Sequence, residues 1–188
     1  MKYFRVLADD KNFPDRWFLS EPLSEDRYVL DARDFCYGQP YLGPKPINIQ
    51  IDKQGRAVAF TLAAFDMPVV TTAIGDLLER LIPQDIQQFP ITIGDEFLDY
   101  RILNVVALED CIDESQSAGK KFGPEHGRPE KIGDYIYLAP LVIDPSRTNG
   151  RHLFRLVRSL VHLIVSEQVK HLLESVSDLG VVFHAVSG

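Results

Sequence analysis

The first 70 residues are built from short apolar runs cut by proline and glycine, and no run is long enough for a helix. Tyr3 to Leu7, Trp17 to Leu19, Tyr28 to Leu30, Ile47 to Ile51 and Val58 to Leu62 each read as a short strand. The clearest is INIQID, where Ile47, Ile49 and Ile51 alternate with Asn48, Gln50 and Asp52, the period of two of a half-buried strand. Lys53-Gln54-Gly55-Arg56 follows with a turn glycine and AVAFTL after it, so a hairpin is predicted there.

Helical spacing first emerges after Pro68. Ile74, Leu77, Leu78 and Leu81 share a face, Thr71 or Thr72 is available as a cap, and Pro83 marks the end, so a helix is predicted over about 71–82. Phe89 to Ile93 and Tyr100 to Leu108 read as a strand pair joined through Gly94-Asp95-Glu96. Ser117 to Gly133 has four glycines and two prolines and reads as a long surface loop, followed by a strand from Tyr135 to Ile143 interrupted at Pro140. Between Leu153 and Val165, periodicity favours a helix, although LFRL and VHLIV also read as two strands. A second helix opens at Ser166, runs over about 166–177 on a stripe of Val169, Leu172, Leu173 and Val176, and is stopped by Gly180 before a closing strand, VVFHAV. The fold class is α+β, mainly short antiparallel strands with two main helices, in one domain over 1–188.

The net charge of −7 disfavours nucleic acid as a direct ligand and favours a basic protein partner. No stretch of 18 apolar residues predicts a membrane span, and MKYFRVLADDKNF lacks the apolar core of a signal peptide, so a soluble cytoplasmic protein is expected. Cys36 and Cys111 form no CxxC pair, and the five histidines at 126, 152, 162, 171 and 184 have no metal-ligand spacing. No Walker loop, nucleophile elbow or dinucleotide fingerprint occurs, and neither a metal nor a cofactor is expected.

The most unusual stretch is LEDCIDES, Leu108 to Ser115, with four carboxylates and one thiol in eight residues. Its acidic neighbours raise the Cys111 pKa, the wrong direction for a nucleophile. A calcium loop starting at Asp110 fails at its third, sixth and twelfth positions, which hold Ile112, Ser115 and Lys121. As a strand, the segment points Glu109 and Asp113 away from Asp110 and Glu114; as a helix it pairs them differently, and in neither do all four converge. From Asp95 to Glu114 seven acids face one basic residue, Arg101, while the C-terminal segment from Gly150 is slightly basic through Arg151, Arg155, Arg158 and Lys170. The acids Asp95, Glu96, Asp99, Glu109, Asp110, Asp113 and Glu114 are therefore candidates for partner contact.

The ordered series MKYFRV, RWFLSEP, GPKPINIQI, AAFDMPVVTTAIGDLLERL, RILNVVALEDCIDESQS, VIDPSR, LIVSEQVKHLLE and LGVVFHAV resembles the immunity proteins of bacterial polymorphic-toxin systems, specifically immunity family eleven. Its most specific parts are Asn104, Val105, Cys111, Ile112, Asp113, Glu114 and Ser117, and the IVSE, LLE and LGVVF blocks. The resemblance implies a cytoplasmic, non-enzymatic antidote that binds the C-terminal domain of a cognate toxin, a basic nuclease being one such target. It also implies that Cys111, Ile112 and Asp113 serve the fold, with Asp113 capping a turn or helix start, and it shifts 153–165 toward strand. The competing readings are a small hydrolase using carboxylates of the 109–114 block, and a regulatory module for another endogenous partner.

Overall fold

A computed structural model describes residues 1–187, and the side chains of all of these except Phe97 and Leu98. Six strands form one sheet: β2 (Phe18–Ser24), β3 (Ile47–Lys53), β4 (Phe60–Leu62), β5 (Pro68–Thr71), β6 (Ile86–Ile93) and β7 (Glu96–Val105), in the spatial order β2-β3-β6-β7-β5-β4. A second sheet has the order β13-β1-β12-β11-β8, from β1 (Tyr3–Ala8), β8 (Leu108–Glu109), β11 (Leu153–Leu156), β12 (Ser159–Ser166) and β13 (Val181–Ala185). The hairpin of β9 (Gly119–Lys121) and β10 (Tyr135–Leu138) stands beside them. Pairing is antiparallel throughout the named strands except at β3–β6 and β8–β11. The two helices are α1 (Thr72–Leu81) and α2 (Glu167–Glu174), which makes the class α+β as the sequence predicts.

Strand alternation explains how the layers share a core. On β7, Ile102 faces one apolar cluster with Trp17, Phe35, Ile49 and Phe89, while Leu103 and Val105 face another. That second cluster also takes Val6, Leu163 and Val165 from the five-stranded sheet, Ile74 and Leu78 from α1, and Val169 and Leu173 from α2. On β11 and β12, Phe154, Leu156 and Ile164 turn the opposite way, onto Tyr3, Cys111, Ile112 and Ile143. Both helices begin at hydroxyl caps: the amide of Ile74 donates to Thr71 Oγ1 at 3.5 Å and that of Val169 to Ser166 Oγ at 3.3 Å.

Several sequence expectations are corrected. The predicted hairpin between Ile47–Ile51 and Val58–Leu62 does not form, because β3 lies between β2 and β6 and β4 pairs with β5. The connecting backbone is spent elsewhere: Arg56 N–H donates to Asp15 O at 2.8 Å and Trp17 N–H to Arg56 O at 3.0 Å. Gly55 is required for that close approach, since a Cβ there would lie 2.3 Å from Asp15 O. Gly180 does not cap α2, which ends six residues earlier at Glu174. It has φ +82° and lies against Val58, where Phe60 N–H donates to Leu179 O at 2.8 Å. Tyr28 to Leu30 makes only one isolated bridge, Val29 to Leu23. The segment 117–133 contains β9 and two 3₁₀ turns, and Tyr135–Ile143 is a strand only to Leu138.

The 153–165 segment is two strands turning at Val157-Arg158, where Arg158 adopts φ +67°. The helical periodicity is misleading because β11 is buried on both faces and so shows no alternation.

Candidate interaction surface

β8 delivers LEDCIDES to the edge of the five-stranded sheet, where Ile112 bridges Ile143 and Asp144 N–H donates to Cys111 O at 2.8 Å. The four carboxylates then take four different environments. Glu109 is buried, accepts from Asn149 Nδ2 at 2.6 Å and pairs with Arg151 Nε at 3.4 Å. Arg151 also pairs with the buried Asp85. Asp110 is exposed and lies 3.5 Å from Arg147. Asp113 closes a turn, accepting from the Ser115 amide at 2.9 Å, the Ser115 hydroxyl at 2.6 Å and Gln116 Nε2 at 2.6 Å. Those hydroxyl and amide donors hold its carboxyl below the usual carboxylate range. Glu114 pairs with Lys121 Nζ at 2.7 Å and Arg158 at 3.3 Å, which likewise lowers its pKa, the Lys121 hydrogen bond being the larger cause.

The acidity of this block is thus met by Arg147, Arg151, Arg158 and Lys121. Of these, Arg151 and Arg158 belong to the slightly basic segment after residue 150; the sequence did not show the pairing. Cys111 is fully buried, and its thiol is pushed up to about 12 by burial first and Glu109 second. The direction matches the sequence reading, while the leading cause is desolvation rather than neighbouring charge. Among the histidines, His162 is buried with Nδ1 on Ser159 Oγ at 2.7 Å, and burial brings its pKa down to about 4. Among the described residues no group of three or more His, Cys, Asp or Glu side chains is arranged to hold a metal.

Asp95, Glu96 and Asp99 are differently placed. They occupy the far end of the β6–β7 hairpin, where Ile93 pairs with Glu96 across the two-residue loop Gly94-Asp95. All three are exposed, and none has an ion-pair partner among the described residues. The loop shares a cleft of about 320 Å³ with the turn after β2, lined by Glu25, Arg27, Pro46, Asn48, Thr92 and Asp95. The next residues on that turn, Tyr28 and Val29, are 71% and 62% exposed, large values for apolar side chains outside a contact surface. The sequence reading did not single out Glu25, Asp26, Tyr28 or Val29: it took Tyr28 to Leu30 only as a short strand, and which strand residues are exposed depends on the sheet.

The hairpin end and the β2 turn therefore bring acids from separate segments together, and LEDCIDES does not join them: it sits beyond the opposite end of β7. The molecule is thus an α+β scaffold with exposed acids, unpaired among the described residues, at one end of its six-stranded sheet. The chain belongs to the Immunity protein family (Imm11), whose sequence profile matches residues 9–188. No curated protein matches the sequence. No helix among the described residues is long and apolar enough to cross a membrane.

Proposed function

We propose that the chain is a cytoplasmic immunity protein that neutralises a cognate toxin by docking a basic face of the toxin's C-terminal domain onto the acidic end of the six-stranded sheet. The observation that carries this reading is the group Asp95, Glu96 and Asp99 at the end of the β6–β7 hairpin, exposed and without ion-pair partners among the described residues. Acids in this state attract a basic surface over several ångströms. A nuclease domain, whose substrate face must be basic, has the matching chemistry. Asp110 and Glu114 can extend the charged rim but are partly neutralised, Asp113 is committed to its turn, and buried Glu109 is not available to a partner. A structural use rather than chemistry fits the 109–114 block, where three of the four carboxylates are ion-paired, the fourth caps a turn and the thiol is held protonated.

Stopped-flow association with the cognate toxin domain tests the proposal. Changing Asp95, Glu96 and Asp99 together to lysine is expected to slow association about tenfold or more at low salt and to flatten its salt dependence, whereas Asp113→Lys leaves the rate unchanged apart from its effect on folding. Association that is equally fast at all salt concentrations in the wild-type protein rejects an acidic docking surface.

A further inference from the structure

Where β1 passes β4 and the turn after it, the two large sheets leave a second cavity of about 330 Å³, walled by Arg5, Asp10, Arg16, Leu62, Asp66 and Val161. Its two arginines differ. Arg16 is 5% exposed and engaged: Nε donates to Asp10 Oδ1 at 2.8 Å, Nη1 donates to Thr61 Oγ1 at 3.3 Å, and the guanidinium lies 4.9 Å from the centre of the Phe18 ring. Arg5 is half-buried, forms no ion pair among the described residues, and its Nε is enclosed without an acceptor. A guanidinium placed this way leaves part of a rigid fork unsatisfied.

The surrounding charges define what could fill it. Arg5 and Arg16 are balanced by Asp10 and Asp66. Behind Asp66, the fully buried Arg155 donates from Nη2 to the Asp66 carbonyl at 3.1 Å and from Nη1 to Leu160 O at 2.6 Å, adding one positive charge with no carboxylate bonded to it. His162 adds none, since burial and the Arg5 charge hold it neutral. The wall is also unusual in its backbone: Phe65 and Asp66 are consecutive left-handed non-glycine residues, at φ 55° and 56°. Such a conformation is held only by surrounding structure, and here it presents Asp66 to the cavity and its carbonyl to Arg155. Leu62 and the 47%-exposed Val161 supply an apolar side.

We propose that this cavity binds one carboxylate group, whose oxygens accept from the terminal Nη groups of Arg5 while its aliphatic stem lies against Leu62 and Val161. A single negative charge matches the excess of one positive charge, whereas a dianionic phosphate would be repelled by Asp10 and Asp66. The carboxylate can come from a free short-chain acid or from an acidic side chain of a bound polypeptide, and the volume admits either.

The test is a titration of the ¹⁵N-labelled full chain, at constant ionic strength, with sodium butyrate, with the blocked peptide acetyl-Ala-Glu-Ala-amide and with sodium phosphate, following the arginine Nε–H signals. A saturable shift of the Arg5 signal at millimolar carboxylate is expected, with phosphate binding weaker by about tenfold or more. Saturation by butyrate identifies a free acid as sufficient, and saturation by the peptide alone identifies a side-chain carboxylate. Arg5→Gln should abolish the binding, and Arg5→Lys, which keeps the charge but not the fork, should weaken it about fivefold or more. Asp66→Asn, which keeps the shape and tolerates the left-handed backbone, should tighten it about threefold. Should Arg5→Gln fail to fold, as judged by its amide spectrum, Arg5→Lys and Asp66→Asn carry the test in opposite directions. The proposal is overturned if neither carboxylate gives a saturable shift in the wild-type protein. It is equally overturned if phosphate binds as tightly, or if binding is unchanged in the folded Arg5 and Asp66 variants.

Discussion

Glu109 and Asp110 are neighbours with opposite energetics. Glu109 is buried with Asn149 and Arg151 as its partners, so Glu109→Ala strands the Asn149 amide, takes one of the two acid partners of Arg151, and is expected to cost about 1–3 kcal/mol. Asp110→Ala removes a 3.5 Å pair between half-exposed side chains and should cost no more than about 0.5 kcal/mol. Urea denaturation of the two variants measures the difference, and equal midpoints would contradict the burial assigned to Glu109. His162 carries a pH prediction. The folded protein keeps this ring neutral down to about 4, whereas the unfolded chain takes up the proton near its ordinary value of about 6.5. The unfolded state therefore binds more protons in that window, and stability falls as pH is lowered from about 6.5 to about 4, by up to about 3 kcal/mol. His162→Gln should remove that part of the pH dependence of the urea midpoint, while the wild-type slope above pH 7 is unaffected.

At the scale of elements, the strongest local signal is the Ser166 cap, which the sequence shows and the structure uses twice. Its Oγ accepts from the Val169 amide and bonds His152 Nδ1 at 2.9 Å, tying the start of α2 to the strand side. Ser166→Ala is expected to cost about 1–2 kcal/mol and to raise amide exchange in the first turn of α2 before it affects β12. Caps and amphipathic helices are legible because their determinants lie within a few residues. The β6–β7 hairpin was legible for the same reason, as two apolar runs around Gly94-Asp95. The other hairpin expectation failed because Gly55 is a turn residue by type but a contact residue by position, and its contact, Asp15, is forty residues away. The 153–165 segment failed by periodicity because strands buried on both faces lose the alternation that identifies them; LFRL and VHLIV also read as two strands, and the family resemblance tipped the balance that way. Of the candidate acids, those near 109–114 could not be sorted by sequence, since which of them meets an arginine depends on the turn that brings 147–158 alongside.

For the whole molecule, the net charge of −7 conceals a division between an internally compensated end and an open acidic one, and the two are joined through a common interior. Val6, Leu163 and Val165 of the five-stranded sheet meet Val70, Leu103 and Val105 of the six-stranded sheet in one apolar cluster closed by α1 and α2. Arg155 adds a polar tie, from β11 to the backbone of the turn at Asp66, and the strap at 178–180 hydrogen-bonds to Ala59 and Phe60. Neither sheet can lose this interface without exposing apolar side chains of the other, so the two should unfold as one cooperative unit. Trp17 makes this measurable. It is the chain's only tryptophan, 3% exposed, and packs against Tyr100 with ring centroids 5.3 Å apart, so its fluorescence reports the six-stranded sheet. Amide exchange at Ile164 and Val165 reports the five-stranded one. The free energy of opening from exchange at these amides should equal that from the fluorescence transition in urea. If the β12 amides instead open at a free energy well below the fluorescence value, the sheets are separate folding units, and the shared cluster is an interface between them rather than a common core.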